Sequence, residues 1–287
     1  MTEERRASKI EDMSDLDLLI GIGWENRSYD AHNNYLYKLR EDSGDTEETV
    51  FIASGSTIID DNSVISDGTT TVSEWKTATG ATYLRTVEQV DQSRAGNTVS
   101  QATPGYQPKF TLNGVGVPAT IDGTTPEFLY KTLTTGVSLE YPSSVFIVFN
   151  PTNTGANNWV FSGTETTGIG TYRLLISSAG ELLFGSTSDN NTSSNSFFGN
   201  VSLENNNLVS LIIDGTTNIK GYLNSLLKFD FNPAGGFTCK YDKYNIGRVY
   251  GNKFTGSIKE VVIFKRVLTS NEQDIVEKYL MNENGIS

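Results

Sequence analysis

The sequence predicts an all-β fold: an antiparallel sandwich closed by one C-terminal helix. Three observations lead there. Short apolar runs recur with Gly, Asn, Asp and Ser between them, and no helical pattern intervenes before Thr269. Composition also favours pleated surfaces, with 13 Tyr, 14 Phe and 27 Gly against 7 Pro. At 287 residues the chain can hold one large sandwich plus a small appendage, with a core that needs no disulfide staple.

The elements follow in order. Leu18–Ile22 and Tyr35–Leu39 read as two short strands around a polar loop with Asn33 and Asn34, a hairpin too small to stand alone. The acidic stretch 41–48, which contains Gly44, reads as a linker. The expected division is therefore an N-terminal anchoring and oligomerisation segment, 1–49, and a sandwich, 50–287. Ser144–Phe149 is continuously apolar, as suits a strand buried on both faces. Tyr172–Ser177 and Glu181–Gly185 flank a turn whose Gly180 takes the left-handed position. Asn207–Ile213 stops at Asp214-Gly215, and Lys220–Leu223 and Leu226–Phe231 bracket the tight turn Asn224-Ser225. Ser257–Phe264 is the last long strand. Thr269 and Glu272 then form a capping-box pattern, with Ile275, Val276, Tyr279 and Leu280 at helical spacing before the stop at Gly285.

Charge and composition exclude several classes. With 34 acidic against 22 basic residues the net charge is −12, and no basic stripe is present, so nucleic acid is not an expected partner. The acidic excess favours solubility. No run approaches the ~18 apolar residues of a membrane span, and Met1–Asp15 lacks the apolar centre of a secretory signal. Synthesis in a cytoplasm is expected. The single cysteine, Cys239, rules out an intrachain disulfide, and its apolar context reads as burial.

An ordered set of signposts carries a family resemblance. Trp75 with the turn at Gly80, Gln107-Pro108, Asn113-Gly114, Ile121-Asp122-Gly123 and Ile213-Asp214-Gly215 come first. Gly221–Asn224, Asn245-Ile246-Gly247, Phe254–Glu260, Arg266-Val267-Leu268 and the helix to Leu280 complete it. In order and spacing the chain from Phe51 to Ile286 resembles the concanavalin A-like lectin and glucanase superfamily, in its laminin-G-like branch. The resemblance implies a jelly-roll sandwich. Two departures stand out: Thr77 where the family often has Asp, and Asn224-Ser225 where its central hairpin often has Asn-Gly. More faintly, Lys9–Met13 and Asn34–Leu39 resemble the N-terminal module that fixes fibre and head-decoration proteins to tailed-phage particles.

Chemistry is scarce. The sole histidine, His32, lies in the N-terminal segment, so histidine-dependent triads within the sandwich are excluded, as is a histidine metal cluster. Glycoside hydrolysis is the serious enzymatic alternative, because glucanases share this fold; retaining chemistry needs two carboxylates about 5–5.5 Å apart. The glucanase branch places them on one strand, where period-two spacing turns them into one cleft. Glu272, Asp274 and Glu277 match that spacing but fall in the capped helix, where residues two apart face different ways. No catalytic residue is expected.

Binding is left. Asn157, Asn158 and Trp159 pair amides with an indole, and Asp189, Asn190, Asn195 and Phe197 lie in a long polar stretch ending in aromatics. These are the candidate ligand residues; the plainer reading makes Trp159, Phe197 and Phe198 core residues at strand starts. Calcium could brace such loops, but Asp189 alone supplies too little charge for a site, and no metal or other cofactor is expected. The sequence expectation is a phage virion structural protein, a fibre or decoration subunit. It would form a homo-oligomer, with a trimer expected, attach to other virion proteins through residues 1–49, and show a glycan-binding body to the outside. A virion protein is made in the host cytoplasm and used outside the cell without a signal peptide. The alternative is a carbohydrate-active enzyme or its binding module; a bacterial surface adhesin is disfavoured by the absent signal.

Overall fold

Strand pairing is antiparallel throughout the residues that the computed structural model describes: 18–22, 35–51, 62–91, 97–112, 116–121, 129–132, 143–152, 158–164, 171–187, 193–214, 218–232, 243–249 and 252–287. In chain order the elements begin with Leu18–Ile22 (β1), Tyr35–Glu41 (β2), Glu47–Phe51 (β3) and a helix, Val72–Thr79 (α1). Leu84–Gln89 (β4), Val99–Ser100 (β5), Lys109–Leu112 (β6), Gly116–Ile121 (β7) and Leu129–Thr132 (β8) follow. The middle of the chain forms Ser143–Pro151 (β9), Asn158–Thr164 (β10), Thr171–Ile176 (β11), Glu181–Thr187 (β12) and Ser193–Asn200 (β13). Next come Asn207–Asp214 (β14), Asn218–Leu223 (β15), Leu226–Phe231 (β16), Lys243–Ile246 (β17), Arg248–Val249 (β18) and Asn252–Lys253 (β19). Gly256–Phe264 (β20) and Ser270–Glu283 (α2) end the fold.

Two layers result. The first runs β1, β20, β9, β14, β15, β16. The second runs β13, β12, β11, β10, β17, β8 and continues through β5, β4, β2 and β3. The pair β6–β7 carries the ladder round the corner from β4 to β20. This is the expected jelly-roll sandwich.

The apolar run of β9 explains its central place. Val145, Ile147 and Phe149 join the core between the layers, where they meet Val209, Leu211 and Ile213 of β14 and Leu174, Ile176, Leu182 and Phe184 of the other layer. The alternate residues Phe146 and Val148, with Leu208 and Ile212 of β14, pack outward against Val276 and Leu280 of α2. Both faces are buried, each large side chain contributing about 1.5–3 kcal/mol. The helix starts as its sequence dictates: Thr269 Oγ1 accepts from Glu272 N, and Glu272 Oε2 accepts from Thr269 N at 2.8 Å. The expected turns form too. Gly180 has φ 80°, and Asn224 and Ser225 have φ 49° and 62°, the signature of a type I′ turn.

Three expectations require correction. The N-terminal hairpin does not form: β1 pairs with β20, and β2 pairs with β3 and β4. The reason is burial, since Tyr37 and Leu39 of β2 complete a third core with Val50, Val72, Trp75, Leu84 and Phe110. The stretch 41–48 is the β2–β3 hairpin turn rather than a linker. Buried Glu41 accepts from Ser43 N at 2.6 Å, Gly44 N at 2.8 Å and Thr46 N at 2.9 Å. Residues 49 and 50 both lie in β3. Finally, an early helix, α1, interrupts the strands and carries Trp75. His32, Cys239, Asn113-Gly114 and the stretch Lys9–Met13 lie outside the described residues.

Candidate functional site

The second layer has an inner face in the core and an outer face of its own. On β11 and β12 simple alternation divides them: Leu174, Ile176, Leu182 and Phe184 point inward, while Leu175 and Leu183 pack with Trp159 in a separate small cluster. On β10 a bulge between Trp159 and Phe161 sends Val160 and Phe161 both into the core, leaving Trp159 and Ser162 on the outer side.

Cross-strand register lines up two rows on this sheet. The first contains Trp159, Leu175, Leu183 and Phe197. The second contains Asn195, Gly185, Arg173, Ser162, Asn245, Tyr130 and Ser100. Three of the candidates read from sequence, Trp159, Asn195 and Phe197, therefore meet on one sheet. Asn158 sits opposite Ile176 in the ladder and is buried, so it is a strand residue and not a loop amide. Asn157, Asp189 and Asn190 lie outside the described residues. Phe198 belongs to the main core, as the plainer reading has it.

Arg173, Tyr130, Lys243 and Asn245 are the residues that sequence reasoning missed. Their signal was available only as register, since each comes from a different strand or from a neighbouring row. The Arg173 guanidinium carbon lies 5.1 Å from the Trp159 ring centroid, and Lys243 Nζ lies 4.6 Å from that of Tyr130. Asn245 Nδ2 donates to Ser162 Oγ at 3.2 Å. Trp159 is only 5% exposed, yet its indole Nε1 and the neighbouring Arg173 Nε are both buried donors with no acceptor among the described residues. A buried N–H without a partner costs about 1–3 kcal/mol.

The electrostatics of this region run against the protein's overall charge. Across β8, β17, β10, β11, β12 and β13 the only acidic side chain is Glu181, at the β11–β12 hairpin end beside Ser177. The chemistry on offer is stacking, hydrogen bonding and cationic attraction. The helical carboxylates are engaged elsewhere. Glu272 forms a two-bond pair with Arg266, at 2.7 and 2.8 Å, besides its cap; Asp274 lies 3.7 Å from Lys278; buried Glu277 accepts from Gln273 at 2.9 Å. The Arg266 pair and the capping bonds outweigh burial and hold the Glu272 carboxyl at about 2. Among the described residues no group of three His, Cys, Asp or Glu side chains could hold a metal ion.

Comparison with known proteins agrees with this architecture. A family described as the concanavalin A-like lectin/glucanases superfamily (Laminin_G_3) matches residues 129–272, half of the chain. No curated protein matches. Among solved structures, a GH54 α-L-arabinofuranosidase soaked with a cyclic sulfate inhibitor superposes with a TM-score of 0.65 at 16% identity, covering 93% of this chain and 63% of its own. The ligand-binding domain of botulinum neurotoxin serotype D, in complex with N-acetylneuraminic acid, gives 0.51 at 18% identity over 66% of this chain and 48% of its own. At these identities the likeness is one of fold. The chain spans less than two thirds of the length of either.

Proposed function

Because the chain belongs to the concanavalin A-like lectin/glucanase superfamily, we propose that it binds glycans on the outer face of its second layer and does not cut them. The observation that carries this reading is the stacking of Arg173 on Trp159 and of Lys243 on Tyr130, across strands β8, β17 and β10–β13, whose only acidic side chain is Glu181. Sugars offer hydroxyl acceptors for these cations and a C–H face for an aromatic. Hydrolysis would require two carboxyl groups flanking the scissile bond. A glycan array with the full chain, run beside a reducing-sugar assay on every bound glycan, tests the reading: binding without release supports it, and an empty array removes it.

The setting we propose is a tailed-phage particle, with this chain as a fibre or decoration subunit made in the host cytoplasm and assembled as a trimer. The support is the resemblance of Lys9–Met13 and Asn34–Leu39 to particle-anchoring segments. Trimerisation would suit weak sugar sites, since linked sites gain about 10²–10⁴ in avidity. Light scattering of the full chain should give three times 31.4 kDa. A monomer both free and bound to its particle would remove the virion reading while leaving glycan binding in place.

One observation favours a second reading, a carbohydrate-active enzyme: the superposition on an arabinofuranosidase extends over 93% of this chain. Turnover of 4-nitrophenyl α-L-arabinofuranoside by the purified chain would establish it.

A further inference from the structure

The first layer carries a separate pocket of about 320 Å³, remote from the outer face of the second. Its lining includes Asn150, Glu204, Asn205, Asn206, Asn224 and Lys259. That volume is at the lower end of ligand pockets, about 300–1,000 Å³, and suits one sugar residue. We propose that this pocket is a binding site for a carboxylate-bearing sugar, a uronate or sialate, with Lys259 holding the carboxylate and the asparagines the hydroxyls.

Lys259 is placed there by a backbone irregularity. Along the β20–β9 ladder Ile258 sits opposite Phe149 and Glu260 opposite Val148, so Lys259 is the extra residue of a β-bulge. Bulges re-aim a side chain out of the sheet's alternation and are common beside binding sites. Glu260 is buried and accepts from Asn284 Nδ2 at 2.6 Å. Lys259 itself makes no ion pair or hydrogen bond among the described residues. Partial burial pushes its ammonium below the usual lysine range, with the charge of Glu260 opposing. Glu260, its one charged partner, is buried and bonded to Asn284, so a half-buried cation placed this way offers its pocket side to an anion.

The amides are arranged to be read by a ligand. Asn150 donates to Asn206 Oδ1 at 3.4 Å, but its own Oδ1 is buried without a donor. Asn206 Nδ2 donates to Asn284 O at 2.7 Å, which fixes its orientation. Asn224 spends its Oδ1 on Leu208 N at 2.8 Å and keeps its amide hydrogens for a ligand. Donors and acceptors held this way match neighbouring hydroxyls, which both give and take hydrogen bonds. Glu204 on the rim adds an acceptor for a hydroxyl proton. A free carboxylic acid would satisfy only Lys259, and a neutral sugar only the amides.

Calorimetric titration of the full chain with glucuronate, N-acetylneuraminate, glucose and acetate tests the site. Saturable binding of at least one of the two acidic sugars, tighter than glucose or acetate, is expected. Lys259→Gln should weaken it about tenfold or more, as loss of a charge-assisted bond does. Asn205→Asp, at an exposed rim position, places a negative charge beside Lys259 and should weaken the acidic sugar more than it weakens glucose. Arg173→Gln, in the second layer, should leave this titration as it was. No saturable binding of either acidic sugar would overturn the proposal, and so would full affinity in Lys259→Gln. Loss of the titration in Arg173→Gln alone would also overturn it, by assigning the acidic sugar to the other face.

Discussion

Arg173 holds its guanidinium 5.1 Å from the centroid of the Trp159 indole, and each of the two residues keeps a buried N–H without an acceptor among the described residues. The pair straddles neighbouring strands, and the guanidinium covers an indole that the sequence offers either as a ligand residue or as core. Removing the cover should register at once. Arg173→Ala is expected to red-shift tryptophan emission and to lower stability by about 1–2 kcal/mol, the loss of a desolvated cation–π contact. Unchanged emission would mean that the guanidinium does not shield the ring.

Gly256 marks the point where β20 meets both β7 and β9. Its φ is 142°, and a Cβ there would lie 2.1 Å from Asn150 O and 2.9 Å from Pro151 Cα. Backbone cannot yield as a flexible side chain can. Gly256→Ala should therefore cost about 2–4 kcal/mol in urea unfolding. Gly105→Ala, where nothing lies within 4 Å, should stay within about 0.5 kcal/mol.

Ser225 occupies a left-handed position, φ 62°, that glycine takes without strain. Ser225→Gly should raise stability by about 0.5–1 kcal/mol, reduced by loss of the weak bond from Ser225 Oγ to Met281 Sδ at 3.0 Å. A fall in the thermal midpoint would show that this sulfur contact outweighs the strain.

Acid should weaken the fold within a defined window. Burial opposes ionisation of Glu41, but the hydroxyl of Ser43 and the backbone N–H groups of Thr46, Gly44 and Ser43 prevail and hold its pKa at about 2; Glu272 is also at about 2. Each binds fewer protons folded than unfolded, where the value is 4.5. Their contribution is therefore whole above about 4.5 and drains as pH falls towards about 2. Glu41→Gln should lose about 2 kcal/mol at neutral pH and show a shallower decline below pH 4.5. Equal slopes for the variant and the parent would contradict the assignment.

Much of this fold was legible because its strands obey local rules. The runs at 144–149 and 257–264, the turns at Gly180 and Asn224-Ser225, and the Thr269–Glu272 box each stand in consecutive residues. What escaped depends on distant partners. Leu18–Ile22 and Tyr35–Leu39 do read as strands, but their partners are distant in sequence: β1 joins β20, and β2 joins β3 and β4. Thr71 and Glu74 did carry a capping-box signal for α1, hidden by the strand rhythm around it. Of the candidate residues, Trp159 stands in the sequence both as a ligand candidate and as a core residue at a strand start, whereas Arg173, Asn245 and Tyr130 come together only through ladder register.

The most direct test of glycan binding at the second layer is fluorine NMR of the chain labelled with 5-fluorotryptophan, titrated with a glycan that binds on the array. The three tryptophans give three resonances, and Trp159→Phe assigns the relevant one. The Trp159 resonance is predicted to shift saturably while that of Trp75, in the third core, stays fixed. A bound glycan that leaves the Trp159 resonance unmoved would contradict the account.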